Sequence, residues 1–232
     1  MRGNLLDSLG AQSFMKKRTD LPSVSNKQVI NPSNRMERLV FMAMEEILGR
    51  AGVNEVFYLA DLHENIITDY PPDNQDPKIP LKQISYLQAG LESAYGTRVG
   101  RGLALRIGRV CFKYSLGEFG SELGFSDLSF RLLPLQAKLK TSNEAFAALF
   151  NTITGQHIHL ETDVKCITWQ IEHCPLCCSR HSEVPCCHLA VGWLQEALFW
   201  VSGGKYFEVE EQKCIANGAN ACTIVIDRVP LG

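Results

Sequence analysis

The clearest chemistry in this chain of 232 residues lies in a glutamate and three cysteines toward its C-terminal end. Glu211, Cys214 and Cys222 follow the spacing E-x2-C-x7-C, and Cys187 precedes them. Three soft thiolates and one carboxylate are donors that suit a tetrahedral zinc ion. The residue types therefore predict a site for Zn²⁺ held by these four side chains.

The spacing of these residues is too wide for the compact C-x2-4-C knuckle of a zinc finger, but it is typical of a β-hairpin. We expect Glu211 at the end of one strand, Cys214 at the start of a turn around Gly218, and Cys222 at the start of the return strand. Cys187 must then come from a different element. Such a site would clip a helix to a hairpin, and we expect its role to be structural.

The alternation of side chains along a strand predicts whether the carboxylate of Glu211 is buried. Phe207, Val209 and Glu211 point to one face of a strand, because successive side chains alternate between the faces. A carboxylate on a buried face needs a partner, and a metal ion would supply one. The alternative is a strand that ends before Glu211 and leaves this residue exposed.

The chain holds further thiols whose role the sequence leaves open. Nine cysteines are present, an odd number that argues against a fully paired disulfide framework. Cys174 and Cys177 have the spacing of a zinc knuckle, so they could replace Glu211, belong to a second site, or be redox-active. Cys186, beside Cys187, leaves the choice of that ligand open by one residue.

Composition narrows the function classes. A net charge of -2 gives no electrostatic case for binding nucleic acid or an anionic membrane. No run approaches the roughly 18 apolar residues of a membrane-spanning helix, and the N-terminal region lacks a signal-peptide core. We therefore expect a cytoplasmic protein with reduced thiols.

The predicted elements are helices first and strands later. Residues 1–35 are polar and read as a flexible N-terminal arm, and residues 36–232 as a domain with a helical N-terminal half and a zinc-clipped C-terminal α+β half. Helices are predicted over 33–49, 53–62, 81–119 with a break near Gly96, 141–153 and 188–202. Strands are predicted within 157–172, 206–211 and 221–226. This order predicts an α+β fold with an antiparallel sheet covered by a layer of helices.

One predicted helix start and one predicted strand face each rest on a single local pattern. Thr141 and Glu144 have the spacing of a capping box, which places the start of a helix there. Ile167, Trp169 and Ile171 are predicted to share one face of a strand.

Aromatic side chains suggest a second site. Trp169, Trp193, Phe146 and Phe150 are predicted to line an apolar pocket between the helices and the sheet, with ordinary core packing as the alternative. The helix over 188–202 carries more bulky apolar residues than one core-facing stripe needs. Surplus apolar surface must pack against a ligand or a partner chain.

Enzyme signatures are weak in this sequence. Neither G-x-x-x-x-G-K-[ST] nor G-x-G-x-x-G after a strand is present, so no nucleotide-binding fingerprint is available. A reductase would need a hydride source. The sequence therefore leans away from catalysis without excluding it.

Three C-terminal segments together form a recognisable pattern. They read Cys187-x4-Gly192, then Trp200-Val201-x-Gly203-Gly204, then Val209-Glu210-Glu211-x2-Cys214-Ile215-Ala216-x-Gly218-x3-Cys222. This pattern resembles the 4-vinyl reductase domain family, whose members are also called hydrocarbon-binding proteins. With a looser likeness further N-terminally, the resemblance covers roughly residues 35–228.

The resemblance implies an α+β ligand-binding fold related to the phenol-sensing domains of bacterial activators and to the small subunits of the vesicle-tethering transport particle. It also implies a homodimer and a small aromatic ligand bound beside a zinc site. Together with the apolar first helix, the resemblance predicts that the dimer forms through the N-terminal helices rather than the hairpin. Carried over by position, the zinc ligands would be Cys187, Glu211, Cys214 and Cys222. Extra thiols such as Cys174 and Cys177 depart from the sensor pattern.

The leading hypothesis is a zinc-stabilised domain that binds a small hydrophobic molecule and acts as a sensor or carrier. One alternative is an enzyme, or an accessory factor to one, in the vinyl reduction of tetrapyrroles for bacteriochlorophyll. A second alternative is a structural dimerisation module. The identity of the ligand cannot be read from these residues.

Overall fold

The computed structural model describes residues 35–62, 81–125 and 127–231, so nearly all of the predicted N-terminal arm lies outside the described residues. The helices are α1 (Arg35–Leu59), α2 (Leu81–Tyr95), α3 (Thr97–Phe119), α4 (Leu128–Arg131), α5 (Leu135–Ile153) and α6 (His188–Ser202). The strands are β1 (Ile158–Thr162), β2 (Cys166–Ile171), β3 (Phe207–Lys213) and β4 (Cys222–Pro230).

The helical half follows the predicted breaks. Gly49 interrupts α1 with a φ of 67°, a left-handed conformation that glycine adopts without steric cost, so the two predicted helices meet there at a kink. Gly96 separates α2 from α3, as the sequence predicts.

The start of α5 differs from the predicted one. Thr141 and Glu144 do not open this helix, because it already begins at Leu135, just after Pro134. The backbone amide of Lys138 donates a hydrogen bond to the Pro134 carbonyl. Leu139 is fully buried one turn before Thr141, so packing of the apolar stripe sets the start of the helix and overrides the local capping motif.

The four strands form one antiparallel sheet in the order β1-β2-β4-β3. Ile167, Trp169 and Ile171 alternate as buried residues along β2 and share the inner face, as predicted. Ile224 and Ile226 of β4 continue this face, and the helices cover it. The molecule therefore has the predicted α+β architecture of an antiparallel sheet covered by helices.

Helix α6 packs against α3 and against strand β3 of the sheet. Its backbone touches that of α3 at two glycines. A Cβ atom on Gly192 would lie 2.1 Å from the carbonyl oxygen of Leu105, and one on Gly108 would lie 2.1 Å from the carbonyl oxygen of Leu189. The two helices therefore cross at a distance that admits no side chain at either position. This crossing fixes the N-terminal end of α6, where the cysteines converge.

Within the residues that the structure describes, no helix combines the length and the apolar composition needed to cross a membrane.

Candidate functional site

Buried cysteines from three parts of the C-terminal half converge beneath the N-terminal end of α6. Cys174 and Cys177 lie in the segment between β2 and α6, and Cys187 immediately precedes α6. Cys214 follows β3, and Cys222 is the first residue of β4. All five side chains are buried. The fold thus brings the four ligands predicted from the sequence into one cluster with the two cysteines whose role was open.

Three of these sulfur atoms form a nearly equilateral triangle. The Sγ atoms of Cys187, Cys214 and Cys222 are each 3.8 Å from the other two. A tetrahedral zinc ion with Zn–S bonds of about 2.3 Å requires sulfur atoms about 3.8 Å apart. The triangle therefore has the dimensions of one face of a zinc tetrahedron.

Glu211 completes this tetrahedral set from the buried face of β3. It is paired with Ile224 in the sheet register, which directs its side chain inward, and it is only 8% exposed. Its Oε2 accepts a hydrogen bond of 2.6 Å from the backbone amide of Cys187. Its Oε1 is buried and has no hydrogen-bond partner among the described residues. Burial raises the pKa of this carboxyl to about 8, as expected for a carboxylate that lacks a compensating cation.

The hairpin between β3 and β4 holds two of the cysteines. Gly218 has a φ of 95°, which favours glycine, and it ends a short 3-10 turn (Ile215–Asn217). The backbone amide of Ile215 lies 3.4 Å from the Sγ of Cys222 and donates to it. Such amide donation stabilises a thiolate. The hairpin geometry therefore matches the sequence prediction for Cys214, Gly218 and Cys222.

Cys174 and Cys177 lie against the other side of the cluster. The Sγ of Cys174 is 3.5 Å from that of Cys187, and the Sγ of Cys177 is 3.2 Å from that of Cys222. These four residues form a set whose ligand atoms all lie within 4.8 Å of one another. The set of Cys187, Glu211, Cys214 and Cys222 meets the same criterion. Two overlapping sets of four residues thus share Cys187 and Cys222.

The remaining cysteines are placed differently. Cys186 is buried with its Sγ 3.7 Å from that of Cys214, so it lies at the edge of the cluster. Cys178 is exposed in the same segment. Cys111 is buried in α3, and Cys166 lies on β2, where its Sγ contacts Asp163.

Contacts among the thiols shift their pKa values in opposite directions. Hydrogen bonds from neighbouring thiols, the largest from Cys177, hold the pKa of the Cys214 thiol well below its usual range. The pKa of Cys222 is raised above its usual range, chiefly by its hydrogen bond with Cys174. The hydrogen bond with Cys177 also holds the pKa of Cys174 well below its usual range. Because the thiolate is the form that binds metals, Cys214 and Cys174 are the two members best prepared to do so.

The donor set fits zinc on three independent grounds. The ligands are mainly thiolates, the sulfur triangle has the tetrahedral spacing, and the unpartnered Glu211 oxygen is buried beside it. If zinc is bound, Cys187, Glu211, Cys214 and Cys222 would hold it, and it would supply a cross-link between α6 and the β3–β4 hairpin. No open coordination position is needed for that role, which is characteristic of a structural site.

A cavity adjoins the cysteine cluster, between the helices and the inner face of the sheet. Its interior volume is about 70 Å³. When all the empty space between the lining atoms and at the open mouth is included, the volume is about 700 Å³. Cys174 is part of its wall, so the cavity and the cysteine cluster are in direct contact. The apolar side chains of the wall are Met36, Val40, Ile84, Phe150, Ile158, Trp169, Ile171, Pro175, Leu176, Leu189, Ala190, Trp193, Leu194 and Ile224.

Three of the four aromatic residues proposed for a pocket lie on this wall. Trp169, Trp193 and Phe150 line the cavity, with the Phe150 ring 4.8 Å from that of Trp193. Phe146 is buried behind Trp193, where its ring packs against Phe112 and Phe125, and it is not part of the wall. The sequence pattern alone did not distinguish the aromatic residue that packs in the core from the three that line the cavity.

The two tryptophans present hydrocarbon surface to the cavity, because their polar atoms are already bonded elsewhere. The indole nitrogen of Trp169 donates to Asn143 Oδ1 at 2.7 Å, and that of Trp193 donates to Ser115 Oγ at 3.3 Å. A molecule in the cavity therefore meets ring carbon from both side chains.

Glu37 is one of three polar residues in this mainly apolar wall, together with Thr154 and Gln156. It lines the cavity and is only 4% exposed, and its Oε2 has no hydrogen-bond partner among the described residues. Burial raises the pKa of its carboxyl to about 7. A buried carboxyl with an unused oxygen in a cavity is suited to bind one polar group of a ligand.

Sequence reasoning missed Glu37, although a signal for it exists. Glu37 stands at helical spacing from Val40, Phe41 and Met44, all buried on the inner face of α1. A charged residue on an apolar stripe is the pattern that marks a buried acid.

Gln88 is a second residue that the sequence did not reveal. Its Nε2 donates to the carbonyl of Leu176 at 3.2 Å, and its Oε1 accepts from the amide of Leu189 at 3.1 Å. One buried amide side chain thus ties the segment of Cys174 and Cys177 to the first turn of α6. It positions the cluster without contacting its ligand atoms.

Comparison with known proteins gives a fold but no family. No family model matches the chain, and no curated protein matches it. The 4-vinyl reductase pattern therefore remains a resemblance.

Solved structures of H-NOX proteins share the architecture. The Cs H-NOX mutant with 4-cyano-L-phenylalanine aligns with a TM-score of 0.55 and 12% identity, over 86% of this chain and 98% of that one. An Fe(II) unliganded H-NOX protein from K. algicida aligns with a TM-score of 0.53 and 12% identity, over 82% and 95%. These alignments show that the chain has an H-NOX-like α+β fold. Because the sequence identities are so low, they show nothing about its function.

The phenol-responsive sensory domain of the transcription activator PoxR is also similar. It aligns with a TM-score of 0.47 and 14% identity, over 64% of this chain and 74% of that one. A TM-score this low does not establish a shared fold.

Proposed function

We propose that this protein binds a small hydrophobic or aromatic molecule without converting it, as a sensor or carrier whose binding domain is stabilised by zinc. The observation that carries this proposal is the cavity between helices and sheet, which has an apolar wall and a single unpartnered carboxyl. The H-NOX-like fold is compatible with such a role, since structures of H-NOX proteins have been solved in the Fe(II)NO and Fe(II)CO ligation states.

The cavity favours one kind of ligand. Its wall offers two indole faces and a phenyl ring, which contact flat apolar molecules well. Glu37 adds one polar position, where the hydroxyl or amino group of a ligand can donate a hydrogen bond. We therefore propose a small aromatic molecule with a single polar substituent as the preferred class.

A matched pair of ligands tests this proposal. Phenol is expected to raise the melting temperature more than toluene, because only phenol can bond to Glu37. A ligand at 100 times its Kd adds about 2.7 kcal/mol, which corresponds to about 5–10 °C for a chain of this length. The hydrogen bond itself is worth about tenfold in affinity. Thermal shift and calorimetry with the full chain measure both quantities.

The control is the variant Glu37→Leu, which removes the carboxyl and leaves the other polar residues of the wall, Thr154 and Gln156, in place. It should bind toluene at least as well as the wild type and lose its preference for phenol. Equal preference in both proteins would contradict the assignment of Glu37. If aromatics, fatty acids and tetrapyrroles all leave the melting temperature unchanged, only a structural role for the domain remains.

The buried carboxyl also predicts how stability depends on pH. The pKa of Glu37 is raised from 4.5 to about 7 in the folded chain, so the folded state holds its proton more tightly than the unfolded state. This contribution favours folding at low pH and is lost as the pH rises from about 4.5 to about 7. The other titratable groups on the cavity wall are the thiols of Cys111 and Cys174.

Glu37→Gln is therefore expected to stabilise the protein at about pH 8 and to have little effect at about pH 5. The expected gain in unfolding free energy at the higher pH is on the order of 3 kcal/mol. Chemical denaturation of both proteins at both pH values measures it. The same pH dependence in the two proteins would show that Glu37 is not the group responsible.

We further propose a homodimer formed through the N-terminal helices. Large apolar side chains are exposed there, with Tyr58 81%, Leu59 45% and Val99 55% exposed. Light scattering at micromolar concentration should give twice the chain mass of 25.9 kDa. Tyr58→Glu should shift the mass to that of a monomer, whereas Val229→Glu, at an exposed apolar position on β4, should not. A monomeric wild type would rule the dimer out.

A further inference from the structure

We propose that the cysteine cluster holds two zinc ions in tetrahedral sites that share an edge, with the thiolates of Cys187 and Cys222 bridging the two ions. This inference rests on the zinc-holding cluster of the proposed function and extends it from one ion to two.

The count of donors supports two ions. Two tetrahedra that share one edge need four ligands each, of which two are common. The two overlapping sets of the cluster have this composition, since each contains four residues and both contain Cys187 and Cys222. Cys174 and Cys177 complete one tetrahedron, and Glu211 and Cys214 complete the other. All of these residues are buried, so the two sites are closed, as structural zinc sites are.

A single ion would leave part of this arrangement unexplained. An ion bound by the all-cysteine set would leave the Glu211 carboxyl buried with an oxygen that has no partner. An ion bound by the other set would leave Cys174 and Cys177 pressed against the shared thiols, at 3.5 Å from Cys187 and 3.2 Å from Cys222. Two ions provide a cation for every donor.

The surroundings offset the charge of such a centre. Two Zn²⁺ ions against five thiolates and one carboxylate leave a net charge of two minus. Cys187 precedes the 15-residue helix α6, whose N-terminal end favours negative charge. The backbone amide of Ile215 donates to the Sγ of Cys222. These two contacts fall on the two bridging residues.

Two arginines add positive charge nearby. Arg180 and Arg101 both pair with Glu92, at 3.0 Å and 3.6 Å, so two guanidinium groups share one carboxylate. Arg180 lies close enough to Cys186, next to the bridging Cys187, for an electrostatic interaction between the two side chains. Its Nη1 is buried with no hydrogen-bond partner among the described residues. The excess positive charge is therefore available to the cysteine centre.

The presence of a carboxylate favours zinc over an iron–sulfur cluster. Iron–sulfur clusters are held mainly by cysteine thiolates, whereas zinc accepts mixed sulfur and oxygen ligands. Glu211 lies in one of the two sets and donates oxygen to it. The proposal therefore names zinc for both positions.

Metal stoichiometry of the full chain is the first test. Native mass spectrometry and elemental analysis of the reduced protein should give two zinc ions per chain. Cys174→Ser combined with Cys177→Ser should lower this to one and leave the fold intact by circular dichroism. Cys178→Ser, at the exposed cysteine of the same segment, should keep two. One zinc in the wild-type protein would overturn this inference and leave the proposed function standing, whereas no zinc would overturn both.

The bridging arrangement has its own test, which needs no variant. Replacing zinc by the NMR-active cadmium isotope should give two cadmium resonances. The β-protons of Cys187 and Cys222 should couple to both, those of Cys174 and Cys177 to one, and those of Cys214 to the other. Coupling of every cysteine to a single cadmium would rule out shared ligands. An iron–sulfur absorption spectrum in the purified protein would overturn the choice of metal.

Discussion

Cys222→Ser is expected to yield a chain that is insoluble or that folds without metal. Cys222 belongs to both four-residue sets, and its Sγ contacts Cys177, Cys187 and Cys214. Structural zinc contributes on the order of 10 kcal/mol to folding, which is comparable to the whole stability of a typical domain. Loss of this thiolate should therefore leave the chain unfolded or, if it folds, markedly less stable and free of zinc. Soluble yield, zinc content and the thermal transition measure the effect.

Cys166→Ser provides the matched control for this experiment. Cys166 lies on β2 outside the metal sets, so its variant should retain the wild-type zinc content and melting temperature. Equal and near-zero zinc in the wild-type and Cys222→Ser proteins would refute the metal site. Cys214→Ser should resemble Cys222→Ser, with the milder loss expected of a ligand that belongs to one set only.

Gly192→Ala is expected to be as damaging as many substitutions of a large core residue, although it adds a single methyl group. The added carbon would lie 2.1 Å from the Leu105 carbonyl oxygen and 2.9 Å from the Leu105 Cα. Backbone atoms of a packed helix cannot move aside as a side chain can, so α3 and α6 would have to separate. We expect a loss of about 3 kcal/mol or more in unfolding free energy.

The comparison for this variant is Gly102→Ala on α3. A Cβ at that position meets no atom within 4 Å, so alanine should be neutral or should stabilise the helix by up to about 1 kcal/mol. Denaturant unfolding of the two variants measures the contrast. If Gly192→Ala unfolds at the same denaturant concentration as Gly102→Ala, the close crossing of the two helices is wrong.

Much of the fold was predictable because local patterns agreed with tertiary packing. The alternation of Ile167, Trp169 and Ile171 predicted the inner face of the sheet, and the apolar run before Gly203 predicted α6 with its observed bounds. The start of α5 was not predictable from its capping motif. Burial of Leu139 extended that helix toward its N-terminal end, and nothing local to Thr141 records that contact.

The cysteine site also has one part that the sequence predicted and one part that it did not. The strand period and the turn around Gly218 sufficed to predict that Glu211, Cys214 and Cys222 converge. The segment that carries Cys174 and Cys177 has no periodicity, so only tertiary structure places it against Cys187. The contacts of Gln88 likewise join segments about a hundred residues apart, a relation that no local pattern encodes.

The position of Cys174 has a thermodynamic consequence. Its side chain belongs to the cysteine cluster, and the segment 174–176 also forms part of the cavity wall. A molecule that moves this segment when it binds would change the free energy with which the cluster would hold metal. Reciprocity then requires metal to change the affinity for that molecule by the same factor, and couplings of this kind are typically 1–3 kcal/mol. The affinity of the cluster for metal would thus depend on whether the adjoining cavity is occupied.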